Sequence, residues 1–230
     1  MIVGSGLVAR AFARRYAEDN DTLVFASGVS NSGETDQAAF ERERSMLLEH
    51  LDGPQRRLVY FGSCNVVNDQ EHSPYFQHKR AMEALVTGSG KGTVLRLPQV
   101  VGQTRNPNTL TNFIRDCILQ GRPLTVWTRA QRNLIDIDDV ALIATRILES
   151  DSVPAVVAIA SPWSLPMPAI VDLFERVLQR PAQRLLVDRG APMTVDSTLA
   201  ESVAREVGVD FGPNYPLMVI EKYYGAAHEA

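Results

Sequence analysis

Cysteine is scarce in this chain. Cys64 and Cys117 are the two present in 230 residues, too few for a disulfide framework and without metal-ligand spacing, so no metal is expected. Cys64 sits in an apolar stretch and reads as a buried free thiol. A basic stripe is missing as well. The net charge of −4 argues against nucleic acid as a partner, and an anionic ligand would need local arginines and backbone amides. No apolar run is long enough to span a bilayer and no signal peptide is evident, so no membrane partner and a cytoplasmic location are expected. Repeats and low-complexity linkers are absent too. What remains, 45% hydrophobic and 22% charged, is ordinary globular composition, long enough for one α/β domain with a small lobe.

Strand-like and helix-like segments alternate. Ile2-Val3 is short and apolar, and Leu23-Val24-Phe25 follows a helical run from Arg10 to Glu18. Asp36 can cap a helix to about His50, whose Glu41-Arg42-Glu43-Arg44 reads as a solvated face. Further strands are expected at Arg57–Phe61, Thr93–Leu97, Pro123–Trp127 and Val153–Ala160. Helices are expected from Pro74, over 108–120, after a cap at Asp138 or Asp139, and over 166–179 and 196–208. The pattern predicts an α/β fold, a Rossmann-type doubly wound parallel sheet, shortened, with a small C-terminal substrate lobe. The expected division is 1–101 for the Rossmann domain, with returns near 135–160, and 102–230 for a partly interleaved lobe.

Two motifs carry chemistry. Gly4-Ser5-Gly6-Leu7-Val8-Ala9 is G-x-G-x-x-A between a strand and a helix, the context a dinucleotide fingerprint requires. Gly4 permits a tight turn, Gly6 lets a diphosphate approach the backbone, and the helix N-terminus offers N–H groups to the anion. The second motif is Ser63 followed by Tyr75-Phe76-Gln77-His78-Lys79. Tyr75 and Lys79, at i and i+4, share a helix face, where the ammonium would favour the phenolate. Ser63 would hold the same substrate oxygen. The set can move a proton to or from a carbinol. The plain readings stand beside these: His72 and His78 face solvent, and Arg132 pairs with Asp136 or Asp138.

In order, Ile2–Phe12, Leu58–Val67, Tyr75–Glu83, Leu95–Gly102 and Arg132–Val140 resemble the extended short-chain dehydrogenase/reductases, in their NAD(P)-dependent epimerase/dehydratase branch. The resemblance implies catalytic roles for Ser63, Tyr75 and Lys79, with Lys79 lowering the Tyr75 pKa and holding the nicotinamide ribose. It implies NAD or NADP held by Gly4, Ser5, Gly6, Leu7, Val8, Ala26, Ser27, Gly28, Tyr75, Lys79, Pro98 and Val100. It implies a nucleotide-sugar substrate touched by Cys64, Asn65, Gln99, Asn112 and Arg132. It also implies a homodimer through helices at 36–50 and 75–88.

The chain departs from that family as well. Family members carry two more strand–helix units before the serine strand, whereas here Thr22–Ala26 is the one strand that fits, and Phe25–Gly28 looks like the family's fourth strand end. No acid for an adenosine ribose is evident, so NAD against NADP stays open. Cys64 and Asn65 replace the acid pair of sugar dehydratases, which disfavours dehydration, and the loop Asn68–Pro74 is short. Three readings stand: a 4-keto-sugar reductase or C4 epimerase, a reductase of a non-nucleotide carbonyl, and a non-catalytic Rossmann-fold binding module.

Overall fold

The computed structural model describes residues 1–68 and 71–225. Asp69 and Gln70, within the expected short loop Asn68–Pro74, lie outside the described residues. In chain order the elements are β1 (Ile2–Val3), α1 (Leu7–Tyr16), β2 (Thr22–Phe25), α2 (Gln37–Leu51), β3 (Arg57–Ser63), a 3-10 turn (Cys64–Val67), α3 (Pro74–Gly88) and β4 (Gly92–Leu97). Then come β5 (Gln99–Val101), α4 (Leu110–Leu119), β6 (Pro123–Trp127), β7 (Gln131–Asp136), α5 (Ile137–Leu148) and β8 (Val156–Ala158). The last are β9 (Ser164–Pro166), α6 (Met167–Leu178), β10 (Gln183–Val187), α7 (Thr198–Glu206) and α8 (Tyr215–Tyr224). The chain divides into two compact units, Met1–Leu97 with Val140–Ile159, and Pro98–Asp139 with Ala160–Ala230.

The first unit is built on a parallel five-stranded sheet in the order β1-β2-β3-β4-β8. β2 lies directly beside β1, with Ile2 opposite Val24 and Val3 opposite Phe25. That adjacency matches the expectation of a sheet shortened by two strand–helix units. β2 is buried along its whole length, so it reads as an apolar run without alternation. One face of the sheet packs Leu23, Phe25, Leu58, Tyr60 and Val94 against Leu47 of α2 and Met82 and Val86 of α3. On the other face Phe61 meets Phe12 of α1, ring centroids 5.1 Å apart. Proline opens α3 at its first turn, where a missing N–H costs nothing, and Asp36 caps α2 by accepting from the Ala38 amide at 2.9 Å.

The steps β1→β2, β2→β3 and β3→β4 all move one strand in the same direction. Even so, α1 lies on one face while α2 and α3 lie on the other. The β1–α1–β2 unit therefore has the opposite hand to the two that follow. The consequence is local and useful. The chain leaves β1 over one face and β2 over the other, so a crevice opens between their carboxyl ends, as at the switch point of a full doubly wound sheet.

The second unit contains a three-stranded sheet, β5-β7-β9, and a parallel pair, β10-β6. The α5 cap differs from the expectation at Asp138 or Asp139: Asp136 accepts from the Asp138 amide at 2.9 Å. Asp136 also accepts from Lys222 and from the Tyr223 hydroxyl, each at 2.6 Å, which ties α8 to the end of β7. Tyr215 donates to Asp139 at 2.6 Å and accepts from the Asp136 amide. β5, β7, β9 and β10 are not anticipated from sequence, because short strands without alternation carry no period, and neither is the helix α8. Among the described residues no helix is long and apolar enough to cross a membrane.

Candidate active site

At the end of β1 the chain turns sharply. Gly4 sits at φ +122°, and a Cβ there would stand 2.4 Å from the Ala26 carbonyl oxygen, so the position admits only glycine. This contact brings the turn Gly4-Ser5-Gly6 against the end of β2 and its continuation Ala26-Ser27-Gly28. Gly6 differs: nothing lies within 4 Å of the Cβ it lacks. No side chain caps α1, and Gly4, Ser5 and Gly6 are exposed. Backbone N–H groups at the start of a ten-residue helix, beside open space at Gly6, suit a diphosphate. Leu7 and Val8, in the first turn of α1, are half-buried.

β3 and α3 deliver the other set. Ser63 ends β3, and its hydroxyl accepts from the Asn65 amide at 3.2 Å, opening the 3-10 turn. Tyr75 stands one residue into α3, its ring packed in a cluster with Val29, Phe40, Val66 and Phe76. Lys79 lies one turn further, its ammonium 5.8 Å from the Tyr75 ring centroid.

The unexpected member is Glu43. The charged run on α2 is not a solvated face at this position, for Glu43 is 0% exposed. Its Oε1 accepts from the Tyr60 hydroxyl at 2.6 Å and from Lys79 at 3.0 Å. Its Oε2 accepts from the Val29 amide at 2.6 Å and lies 3.0 Å from His78 Nε2. Lys79 also donates to the Tyr60 oxygen at 3.0 Å. His78 is thereby drawn inward, its side chain 8% exposed and its ring stacked on Phe40, while His72 is exposed as expected. Gly28 belongs to the same packing: a Cβ there would stand 2.7 Å from Lys79 Nζ and 2.8 Å from Glu43 Oε1. The signal for Glu43 was in the helix period. Phe40, Glu43 and Leu47 form one stripe of α2, so the acid occupies a core position.

The cluster changes the titration expected at the site. Burial alone would raise the Glu43 carboxyl. The bond with His78, the Lys79 charge, the Tyr60 hydroxyl and the Val29 amide outweigh it and hold the pKa at about 2. Lys79 runs the other way: burial lowers it further than Glu43 raises it. Glu43 has four polar partners to offset its burial, and the ammonium has two. Tyr75 is not the easily formed phenolate that the Tyr-x-x-x-Lys spacing predicts. Burial pushes its hydroxyl well above the usual range, and the Glu43 carboxylate adds to the rise.

The remaining expected residues fall elsewhere. Cys64 is buried, with Sγ 3.3 Å from the Arg96 carbonyl and its thiol raised to about 12 by burial. Asn65 is half-buried in the 3-10 turn. Pro98, Gln99 and Val100 belong to the second unit, where Gln99 pairs with Leu134 and Val100 with Ile135 on β7. Asn112 is buried there too, donating to the Thr104 and Asn106 carbonyls and accepting from the Tyr224 hydroxyl at 2.9 Å. Arg132, half-buried on β7, donates to the Gln131 carbonyl at 2.7 Å. A separate cavity of about 510 Å³, lined by Arg15, Arg56, Arg57 and Glu149 among others, opens at the amino ends of β2 and β3. Ligands of open α/β sheets bind at the carboxyl ends, so the crevice at Gly4 and Ala26 is the candidate site and this cavity is not.

Comparison with known proteins follows that geometry. The model of a family described as the NAD dependent epimerase/dehydratase family matches residues 26–160. The chain is similar in structure to a UDP-glucuronic acid 4-epimerase from Bacillus cereus, solved with UDP-glucuronic acid and NAD. The two are 14% identical at a TM-score of 0.69, covering 96% of this chain and 78% of the other. It is also similar to the UDP-glucose 4-epimerase of Thermus thermophilus with NAD, 15% identical, TM-score 0.68, covering 95% and 81%. A dTDP-glucose 4,6-dehydratase from Bacillus anthracis str. Ames with NAD gives 15% identity and a TM-score of 0.66 over 96% and 80%. No curated protein matches the sequence.

Proposed function

The chain belongs to the NAD dependent epimerase/dehydratase family, whose model spans more than half of it, and from that premise we propose an NAD(P)-dependent oxidoreductase acting on a nucleotide-linked sugar. The finer reading is a 4-keto-sugar reductase, with C4 epimerase as its near neighbour. The observation that carries it is Tyr75 at the head of α3, buried and one turn from Lys79, with a hydroxyl that burial raises. Nucleotide sugars and NAD in the structural neighbours support the substrate and cofactor class.

When bound, the nicotinamide supplies or accepts the hydride. The chain's own residues handle the rest. Tyr75, kept neutral by burial, is set up as a proton donor: as a carbonyl carbon gains hydride, its oxygen takes the Tyr75 proton and the ketone becomes an alcohol. Ser63 hydrogen-bonds the same oxygen. An ammonium has three donors, and Lys79 commits two to Glu43 and Tyr60, leaving the third direction for a ribose hydroxyl. Gly4, Gly6 and the first turn of α1 hold the diphosphate. A carboxylic acid beside Ser63 is replaced by Cys64 and Asn65, so loss of water is not supported. Pairing through α2 and α3 is the proposed dimer.

Tyr75→Phe tests the proton donor. Turnover of a 4-keto-sugar nucleotide should fall by about 10²–10⁴, while saturation of reduced-nicotinamide fluorescence stays within about twofold. Most of the activity surviving would remove Tyr75 from the reaction. One observation favours the non-catalytic module instead, namely that Glu43 already satisfies Lys79. That reading predicts no fluorescence change with NADH or NADPH at millimolar concentration.

A further inference from the structure

The sheet ends at β1. Among the described residues no strand lies beyond it, and the order β1-β2-β3-β4-β8 runs in one direction from that edge. In a full doubly wound sheet the dinucleotide lies across the switch point. Its diphosphate rests on the first glycine turn, and its adenosine lies over the strand on the far side of the first, whose end carries the acid for the ribose. Here the chain leaves α1 at Tyr16, passes through 17–21, and enters β2 on the near side of β1. The acids of that connection do not stand at a strand's carboxyl end. Asp19 accepts from the amides of Asp21 and Thr22, each at 2.8 Å, and closes the turn at the opposite, amino end of β2.

The other half of the crevice is intact. Gly4 packs on the Ala26 carbonyl, Gly6 faces open space, and α1 and α2 leave on opposite faces so that the crevice stays open. Ser63, Tyr75 and Lys79 come from the strand and helix that follow on the side away from the edge.

We infer that this chain recognises its cofactor through the nicotinamide–ribose–phosphate half and leaves the adenosine unheld. The inference rests on the cofactor reading proposed above and sharpens it to a ligand class: nicotinamide nucleotides, irrespective of what the second phosphate carries. Two consequences distinguish this site from an ordinary dinucleotide site. Reduced nicotinamide mononucleotide, which lacks adenosine altogether, serves as a ligand. A 2′-phosphate on the adenosine ribose is not sensed, so NADH and NADPH are equivalent.

The experiment is a fluorescence titration of the full chain with reduced nicotinamide mononucleotide, NADH and NADPH, with adenosine 5′-monophosphate as competitor. The expected Kd values agree within about threefold for NADH and NADPH, and within about tenfold between the mononucleotide and NADH. Adenosine monophosphate at millimolar concentration leaves bound NADH in place. A control variant ties the binding to this crevice. Gly6 has ordinary extended backbone, φ −73° and ψ −171°, and no neighbour where a side chain would go. Gly6→Val should therefore fold, and its branched side chain should weaken the mononucleotide and NADH alike by more than about tenfold.

Several results overturn the inference: a mononucleotide more than about 100-fold weaker than NADH, displacement by adenosine monophosphate, or a preference above about tenfold between NADH and NADPH. Unchanged binding in Gly6→Val would place the ligand elsewhere and overturn it too. These outcomes leave the oxidoreductase reading standing. If none of the three reduced nucleotides binds, that reading fails and this inference fails with it.

Discussion

Glu43 is enclosed while its chain neighbours are not: the side chains of Glu41 and Arg44 are 64% and 48% exposed and pair with each other. Removing one partner of a buried ion pair strands the other charge, at a cost of about 3–5 kcal/mol. Glu43→Gln should therefore lower the unfolding free energy at pH 7 by an amount of that order, measured by urea denaturation followed by circular dichroism. The acid limb supplies the sign. The folded carboxyl titrates near 2 against an ordinary 4.5, so its stabilisation is complete above about pH 4.5 and disappears as pH falls toward 2. The thermal midpoint of the wild type should drop through that window, and the Gln variant, having no carboxyl there, should lose that part of the slope. Equal slopes in both would mean that Glu43 is not the buried carboxylate described.

At the scale of elements, the β1–α1 turn is the most constrained piece of backbone near the site. Its two glycines play different parts. Gly4 combines a positive φ with a 2.4 Å approach of its absent Cβ to a carbonyl oxygen, so Gly4→Ala should destabilise the fold by about 1–3 kcal/mol. Gly6→Ala should leave the unfolding free energy unchanged within about 0.5 kcal/mol, because its side chain meets nothing. Thermal unfolding of the two variants side by side checks this. A milder loss for Gly4→Ala than for Gly6→Ala would contradict the turn geometry. The helix α3 is constrained differently. Pro74 starts it, Tyr75 and Lys79 share its inward face, and Glu83 further along binds Arg96 of β4 at 2.7 Å, anchoring the helix to the sheet.

At the scale of the molecule, β1 is a two-residue edge strand, paired on one side among the described residues. Amide hydrogen exchange should reflect this, with Ile2 and Val3 exchanging at least about tenfold faster than Val59 and Val94 in the interior strands. Comparable protection would point to a further strand covering that edge. The second unit has its own tie, in which Asp136 and Asp139 hold Lys222, Tyr223 and Tyr215 of α8.

Much of this protein could be read from its residues in order. Gly4-x-Gly6 between strand and helix and Tyr75-x-x-x-Lys79 after Ser63 are local patterns whose chemistry depends on spacing along one element. The alternation of apolar runs with helical segments likewise determined the class of fold. Tertiary structure decided the rest, for reasons that spacing cannot carry. Which face of the sheet α1 takes depends on packing of Phe12 against Phe61, residues far apart in the chain. Whether Glu43 is solvated or buried depends on Tyr60, His78 and Lys79 arriving from β3 and α3. Whether Tyr75 ionises easily depends on how deeply the fold buries it and on which charges arrive beside it. Burial in the folded chain raises its hydroxyl most, and the Glu43 carboxylate, folded in from another helix, raises it further.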